Sequence, residues 1–262
     1  MRFRFGSFAF MAVLAGGCVV DGDHDDDLEA TAGDVSAGDA LGKATQELTH
    51  TGEVYWTQGS PDIGLGSIND RVCFLTGVRG NLSGSNESVR VYANNGSWWL
   101  GGTSSQTGVA AWAACVYTTP DKYTPEYFWS TTLDYPKLMG SATGRICFIT
   151  GVAGGFNDSS NWVHAYVSGG DWYLMGGTDG PYVNVRARCA EVPGYGPQIT
   201  RTATATGSAP IMGTGADAAC GLVKIWGPFD SSADVVHCDL TTDTWYLTAT
   251  GKPGVGVLAR SF

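Results

Sequence analysis

Residues 73–102 read CFLTGVRGNLSGSNESVRVYANNGSWWLGG, and residues 147–176 read CFITGVAGGFNDSSNWVHAYVSGGDWYLMG. Laid over one another without a gap, the two stretches share 13 of 30 positions, among them Cys73/Cys147, Gly80/Gly154, Val89/Val163, Tyr92/Tyr166, Trp98/Trp172 and Leu100/Leu174. A third copy, CGLVKIWGPFDSSADVVHCDLTTDTWYLTA at 220–249, matches the second at nine of 30 positions and keeps Gly227, Phe229, Val236, His237, Trp245, Tyr246 and Leu247 in register. Self-similarity at a fixed period marks a repeat architecture.

The repeat extends outward on both sides. Glu53-Val54-Tyr55-Trp56-Thr57 aligns with Glu126-Tyr127-Phe128-Trp129-Ser130, and the segment ending at Cys115 aligns with the one ending at Cys189. These matches predict three homologous units of about 73 residues, at 51–125, 126–198 and 199–262. In the third, Ile199-Thr200-Arg201-Thr202 replaces the opening aromatic strand.

Each unit reads as five short strands, in the first at 53–57, 71–78, 88–93, 97–102 and 108–116. β-branched and aromatic residues alternate within them, and Gly, Asn, Ser, Pro or Asp bound them. No stretch sustains a helical period, so the expected class is all-β. Alternation assigns faces. Val89/Val163/Val236, Val91/Ala165/Cys238, Trp98/Trp172/Trp245 and Leu100/Leu174/Leu247 point inward. Arg90/His164/His237 and Trp99/Tyr173/Tyr246 then share the opposite face.

Six cysteines lie within the repeats and allow 15 pairings. The first two units each hold a pair 42 residues apart, Cys73 with Cys115 and Cys147 with Cys189. The third has Ser261 where the second cysteine would fall and gains Cys238, which predicts Cys220–Cys238. Such a framework suits an oxidising compartment. Across a flat meander the second and last strands would lie about 14 Å apart at ~4.8 Å per strand, beyond the ~7 Å reach of a disulfide. Each unit must therefore fold back, as a small sandwich or barrel or as part of a sheet arrangement around a threefold axis. One shared core and three tandem stapled domains both satisfy this.

Composition agrees with the class. The 262 residues include 38 glycines, 9 tryptophans and only 15% charged side chains, against roughly 25% in an ordinary soluble domain. The net charge of −10 is uneven: residues 19–50 carry nine acids and one base, whereas 51–262 carry 16 acids and 12 bases. No basic patch supports nucleic-acid binding.

The N-terminus reads as an address. Arg2 and Arg4 precede an apolar run from Phe8 to Ala15, too short to span a bilayer, and Gly16, Gly17 and Cys18 follow. Here the chain resembles bacterial lipoprotein precursors, although Leu14 sits four rather than three residues before the cysteine. The resemblance implies a signal peptide at 1–17, lipidation of Cys18 and anchoring at the cell envelope; plain cleavage would instead release a secreted protein. Residues 18–50, rich in Asp, Ala, Gly and Ser, read as an acidic flexible tether. Their Asp21–Asp27 run lacks the Gly and Glu that a calcium loop needs at its sixth and twelfth positions.

No nucleophile elbow, HExxH motif or phosphate-cradling loop is present, and no cysteine–histidine spacing suits zinc. His164 has Asp158 and Asp171 nearby in sequence, and His237 has Asp234 and Asp239, but Arg90 occupies the histidine position in the first unit. The expectation is a non-enzyme without cofactor or resident metal, with calcium at the acidic turns (Glu87, Asp158, Asp230, Asp234) as a secondary reading. Arg90 with Trp99, His164 with Tyr173 and His237 with Tyr246 each set an aromatic ring beside a polar side chain. Rings stack on sugar faces while polar groups take hydroxyls, so the predicted function is a multivalent carbohydrate-binding surface protein, with neighbouring turns (Ser85, Asn86, Glu87; Asp158, Ser159, Asn161; Asp230, Ser232, Asp234) adding polar groups. A structural or protein-interaction component is the alternative and a secreted hydrolase the third reading. The same rings could instead pack between units as core.

Overall fold

A computed structural model describes residues 50–262 except 134, 181, 193–197, 203–208, 215–218 and 242–243. The expected signal peptide, Cys18 and all of the expected tether except His50 lie outside the described residues. His50 itself belongs to the fold: it bridges to Val116, and its ring meets Trp245 edge-on at 5.6 Å.

The described residues form an all-β protein with no α-helix. The first unit supplies β1 (Val54–Thr57), β2 (Ile63–Ser67), β3 (Arg71–Arg79), β4 (Ser88–Asn94), β5 (Ser97–Thr103) and β6 (Ala110–Tyr117). The second supplies β7 (Tyr127–Ser130), β8 (Lys137–Ser141), β9 (Arg145–Gly154), β10 (Trp162–Ser168), β11 (Asp171–Gly177) and β12 (Val183–Glu191). The third supplies β13 (Gln198–Thr202), β14 (Ala209–Thr214), β15 (Cys220–Trp226), β16 (Val235–Thr241), β17 (Thr244–Thr250) and β18 (Gly256–Ser261).

Each unit thus has six strands rather than five. β2 escaped the pattern because Ile63-Gly64-Leu65-Gly66-Ser67 alternates glycine with apolar residues, and its pairing with β5 is interrupted by a bulge. Glycine weakens any strand signal. The repeat does carry a trace of it, since Leu65-Gly66-Ser67, Met139-Gly140-Ser141 and Met212-Gly213-Thr214 recur at the common period.

The sheets are not confined to units. Strand orders are β1-β6-β3-β16-β17-β14, β2-β5-β4-β9-β12-β7 and β13-β18-β15-β10-β11-β8. Every sheet joins the β2/β5/β4-type half of one unit to the β1/β6/β3-type half of the next, through antiparallel seams β4–β9, β10–β15 and β16–β3. The cycle closes, with the third unit pairing back onto the first. Of the arrangements compatible with the sequence, the chain therefore adopts three units sharing one core with pseudo-threefold symmetry.

Hydrogen bonds between main-chain groups trace the axis. Leu82 N–H donates to Phe229 O (2.6 Å), Phe156 N–H to Leu82 O (2.9 Å) and Phe229 N–H to Phe156 O (2.7 Å). Gly80, Gly154 and Gly227 precede this ring at φ +102°, +105° and +100°. A Cβ there would lie 2.3, 1.9 and 2.2 Å from the carbonyl oxygens of Gly108, Tyr182 and Gly254. Only glycine fits a left-handed conformation with backbone so close.

The faces follow the alternation. Val89, Val163, Val236, Val91, Ala165, Cys238, Leu100, Leu174, Leu247 and the three tryptophans Trp98, Trp172 and Trp245 are all fully buried. Trp98 and Trp172 donate their indole N–H groups to the carbonyls of Arg71 and Arg145, at 2.8 and 3.0 Å. The guanidinium of Arg188, from the following unit, covers Trp98 at 4.9 Å, and Arg260 covers Trp172 at 5.4 Å.

All three disulfides are formed as the spacing suggested: Cys73–Cys115, Cys147–Cys189 and Cys220–Cys238. The first two join residues directly opposite on neighbouring strands, because the last strand of each unit returns beside its third. Cys220–Cys238 instead joins β15 to β16, which belong to different sheets.

Candidate functional site

The six residues singled out for ligand contact all lie on the outer faces of the sheets. Arg90 is exposed, and Trp99, His164, Tyr173, His237 and Tyr246 are half-buried. The rings therefore do not pack into the core, where Trp98, Trp172 and Trp245 already sit. In the first unit Arg90 lies opposite Gly101, and Trp99 opposite Tyr92, so Arg90 and Trp99 are diagonal neighbours. Tyr92 sits between them, with the Arg90 guanidinium 4.4 Å from its ring centre. In the second unit the equivalent Tyr166 lies 5.3 Å from His164 and 5.8 Å from Tyr173. In the third, Asp239 takes that place opposite Tyr246.

What the sequence did not reveal is that each face continues across a seam onto the next unit. Arg90 pairs in register with Gly151, which pairs with Arg186, which faces Phe128. A Cβ at Gly151 would touch the Arg90 Cβ at 3.0 Å and the Arg186 Cδ at 3.4 Å, so this glycine lets the two cationic side chains rise on either side of a bare strip. Arg186 is held by Glu126 and lies over Phe128 at 4.9 Å. Two open depressions flank Arg90. One, of about 350 Å³, includes Asp62, Asn184 and Arg186; the other, of about 470 Å³, includes Tyr92, Glu126 and Arg188. Among the described residues Arg90 has no ion-pair partner.

At the seam between the third and first units the same frame carries different chemistry. His237 pairs with Gly77, and Gly77 with Trp112. The imidazole stacks on Trp112 at 4.4 Å, and Trp112 in turn meets Tyr55 at 4.8 Å. His237 Nε2 lies 3.0 and 3.2 Å from the two carboxylate oxygens of Glu53, and the Thr76 hydroxyl donates to Glu53 Oε1. Asp239 completes a cluster whose candidate donor atoms all lie within 4.8 Å of one another.

At the remaining seam Lys224 stands where the other units have glycine, directly opposite His164. Its ammonium lies 5.5 Å from the Trp162 ring and 5.1 Å from that of Trp226. Burial, then the charges of Lys224 and Arg260, lower the His164 pKa to about 4. The folded protein keeps this ring neutral where the unfolded chain, with a pKa near 6.5, takes up a proton. His164 therefore contributes stability that is complete above about pH 6.5 and is lost as pH falls toward 4. After discounting for partial exposure the loss is about 1–2 kcal/mol. His164→Gln should remove that component, so the stability gap between the two proteins should narrow by this amount between neutral and acidic pH in urea titrations. Parallel pH profiles would refute it.

Five of the nine turn residues expected to offer polar groups to a ligand have side-chain partners within the fold. Glu87, Asn161 and Asp234 occupy equivalent positions and are almost wholly buried. Glu87 accepts from Ser105 N–H and Oγ–H, Asn161 bonds Gly155 O, and Asp234 accepts from the amides of Asp230, Ser231 and Lys252. They tie the loop before each fourth strand to the loop after each fifth. Asp158 accepts from Ser160, and Asp230 pairs with Lys252.

The residues missed in sequence, notably Glu53, Trp112, Gly151, Arg186 and Lys224, come from the half-unit across the seam. Two signals pointed to them: Glu53 aligns with Glu126, and Gly77 and Gly151 interrupt otherwise apolar strands at equivalent positions. Compared with known protein families and with characterised proteins, the chain matches none.

Proposed function

We propose that this is an exported, lipid-anchored, non-catalytic surface protein that binds carbohydrate on the outer faces of its three sheets. The observation that carries the reading is that each seam presents half-exposed rings on a strand-built face, next to charged or imidazole side chains, with two open depressions flanking Arg90 at the first seam. A flat ring on a rigid sheet can stack on a sugar with little ordering cost, and flanking Arg, Lys, Asp and Asn side chains can take its hydroxyls. Three such faces on one anchored molecule would act by avidity on a polymeric glycan. The side chains differ from seam to seam, so the three sites would differ in preference.

A non-catalytic role is supported by the histidines: among the described residues none of the three imidazoles, His50, His164 and His237, hydrogen-bonds a serine or threonine hydroxyl, as an activated nucleophile would require. The disulfides support an oxidising destination. Exposed Tyr55 and Phe128, on edge strands β1 and β7, favour the alternative of protein contact.

The test uses the full chain expressed with its N-terminal segment. Wild type is expected in washed membranes and Cys18→Ser in the soluble fraction, and both are expected to bind a polysaccharide on a glycan array. Changing Trp99, Tyr173 and Tyr246 together to alanine should weaken array binding by at least about tenfold, given 1 kcal/mol or so per stacked ring, with the circular dichroism spectrum unchanged. Wild-type protein that binds no glycan would overturn the reading and move protein partners to the front.

A further inference from the structure

We propose that Glu53, His237 and Asp239 form a binding site for a divalent transition-metal ion of the zinc class, at the seam where the third unit closes onto the first. This inference stands apart from the glycan reading. His237 Nε2 lies 3.0 and 3.2 Å from the Glu53 oxygens, and the Asp239 carboxylate reaches the same space, all donors falling within 4.8 Å of one another. Bonds of ~2.0–2.1 Å in a tetrahedral shell place ligand atoms about 3.3 Å apart. The cluster therefore needs only a small adjustment to enclose an ion.

Two of the ligands are already oriented. Stacking on Trp112 at 4.4 Å and an interplanar angle of 28° fixes the imidazole plane, and the Thr76 hydroxyl holds Glu53 Oε1. Outer contacts of this kind tune and position metal ligands. Asp239 is exposed, so solvent can complete the shell. Among the described residues no lysine or arginine pairs with Glu53 or Asp239. An imidazole nitrogen with two carboxylates suits zinc or its first-row neighbours, whereas calcium and magnesium prefer all-oxygen shells.

The other seams lack the set. The positions of His237, Asp239 and Glu53 are taken by Arg90, Tyr92 and Glu126 at the first seam and, in the strand register, by His164, Tyr166 and Gln198 at the second. The site would clip β16 to the segment entering β1, joining the third unit to the first as a structural metal does.

The simpler arrangement is an ion pair between His237 and Glu53, and Asp239 separates the two. The full chain is stripped with a chelator and titrated with zinc alone by calorimetry, then with cobalt while its visible absorption is followed. One zinc should bind at this site; Asp239→Asn should weaken it at least tenfold, and His237→Gln should abolish it. His24→Gln and His164→Gln should bind as wild type, and excess calcium should not compete. Cobalt should give a ligand-field spectrum that Asp239→Asn loses. Asp239 is exposed, so its variant keeps the fold even if His237→Gln does not. Zinc binding that is absent, or that is unchanged in Asp239→Asn, overturns the proposal; an unchanged affinity would place the ion on the acidic N-terminal segment or leave His237 and Glu53 as a plain ion pair.

Discussion

Trp172→Ala is expected to destabilise the protein by about 3–5 kcal/mol, the range for removing a large buried aromatic side chain. Trp172 is fully buried, and its indole N–H donates to the Arg145 carbonyl at 3.0 Å. Alanine leaves a cavity and strips that carbonyl of a donor, and it removes the surface over which the Arg260 guanidinium lies at 5.4 Å. Because Arg260 belongs to the next unit, the loss also loosens the seam. The control is one residue away. Tyr173 points outward on the same strand and is half-exposed, so Tyr173→Ala should cost no more than about 1 kcal/mol, as for most surface substitutions. Guanidinium unfolding with the disulfides intact would measure both. Costs within 1 kcal/mol of each other would mean that strand alternation does not divide core from surface here.

That division was the most legible part of the sequence. Val89, Trp98 and Leu100 and their equivalents are apolar at every copy, and a side-chain period of two leaves one way to bury them. The disulfides were legible for a related reason: a cysteine lost at Ser261 and one gained at Cys238 within the same unit leave a single consistent pairing. The sharing of sheets was not legible. A repeat states which strands exist, but β4 can satisfy its free edge with β9 or with a strand of its own unit, and both expose the same side chains. The choice rests on where the last strand goes, since β6 returns to β3 and leaves β4 open.

The candidate site was half-read for the same cause. Arg90, His164 and His237 were found because they lie on the fourth strand beside conserved repeat positions, but their real neighbours (Arg186, Lys224, Trp112) are about 100 residues away or more in two of the three cases. Glu53 illustrates the difficulty. It aligns with Glu126, yet Glu126 holds Arg186 of its own unit while Glu53 turns to His237 of another. Equal positions in the repeat thus acquire different partners, because the side chain across each seam differs.

Phe262→Ala should cost about 3–4 kcal/mol, and part of the loss should be recoverable at a position that is glycine in the native chain. Phe74 and Phe148 follow the first cysteine of their units and meet at 4.4 Å. The third unit has Gly221 there, and Phe262 fills the vacancy, lying 5.3 Å from Phe74 and 5.5 Å from Phe148. Its main chain is fixed by reciprocal hydrogen bonds with Ala219 at 3.0 and 2.9 Å. With Phe262 in place, a Cβ on Gly221 would stand 3.1 Å from the Phe148 Cβ and 3.5 Å from the Phe262 ring. Gly221→Phe alone should therefore destabilise by overpacking, by about 1–3 kcal/mol. In the Phe262→Ala background the same change returns a ring to the axis at the repeat's own position. The double variant should then be more stable than either single variant, a coupling of at least 1 kcal/mol in a double-mutant cycle. Additive costs would mean that the two positions do not share one space, and that the third unit closes the core by some means other than a ring borrowed from the end of its last strand.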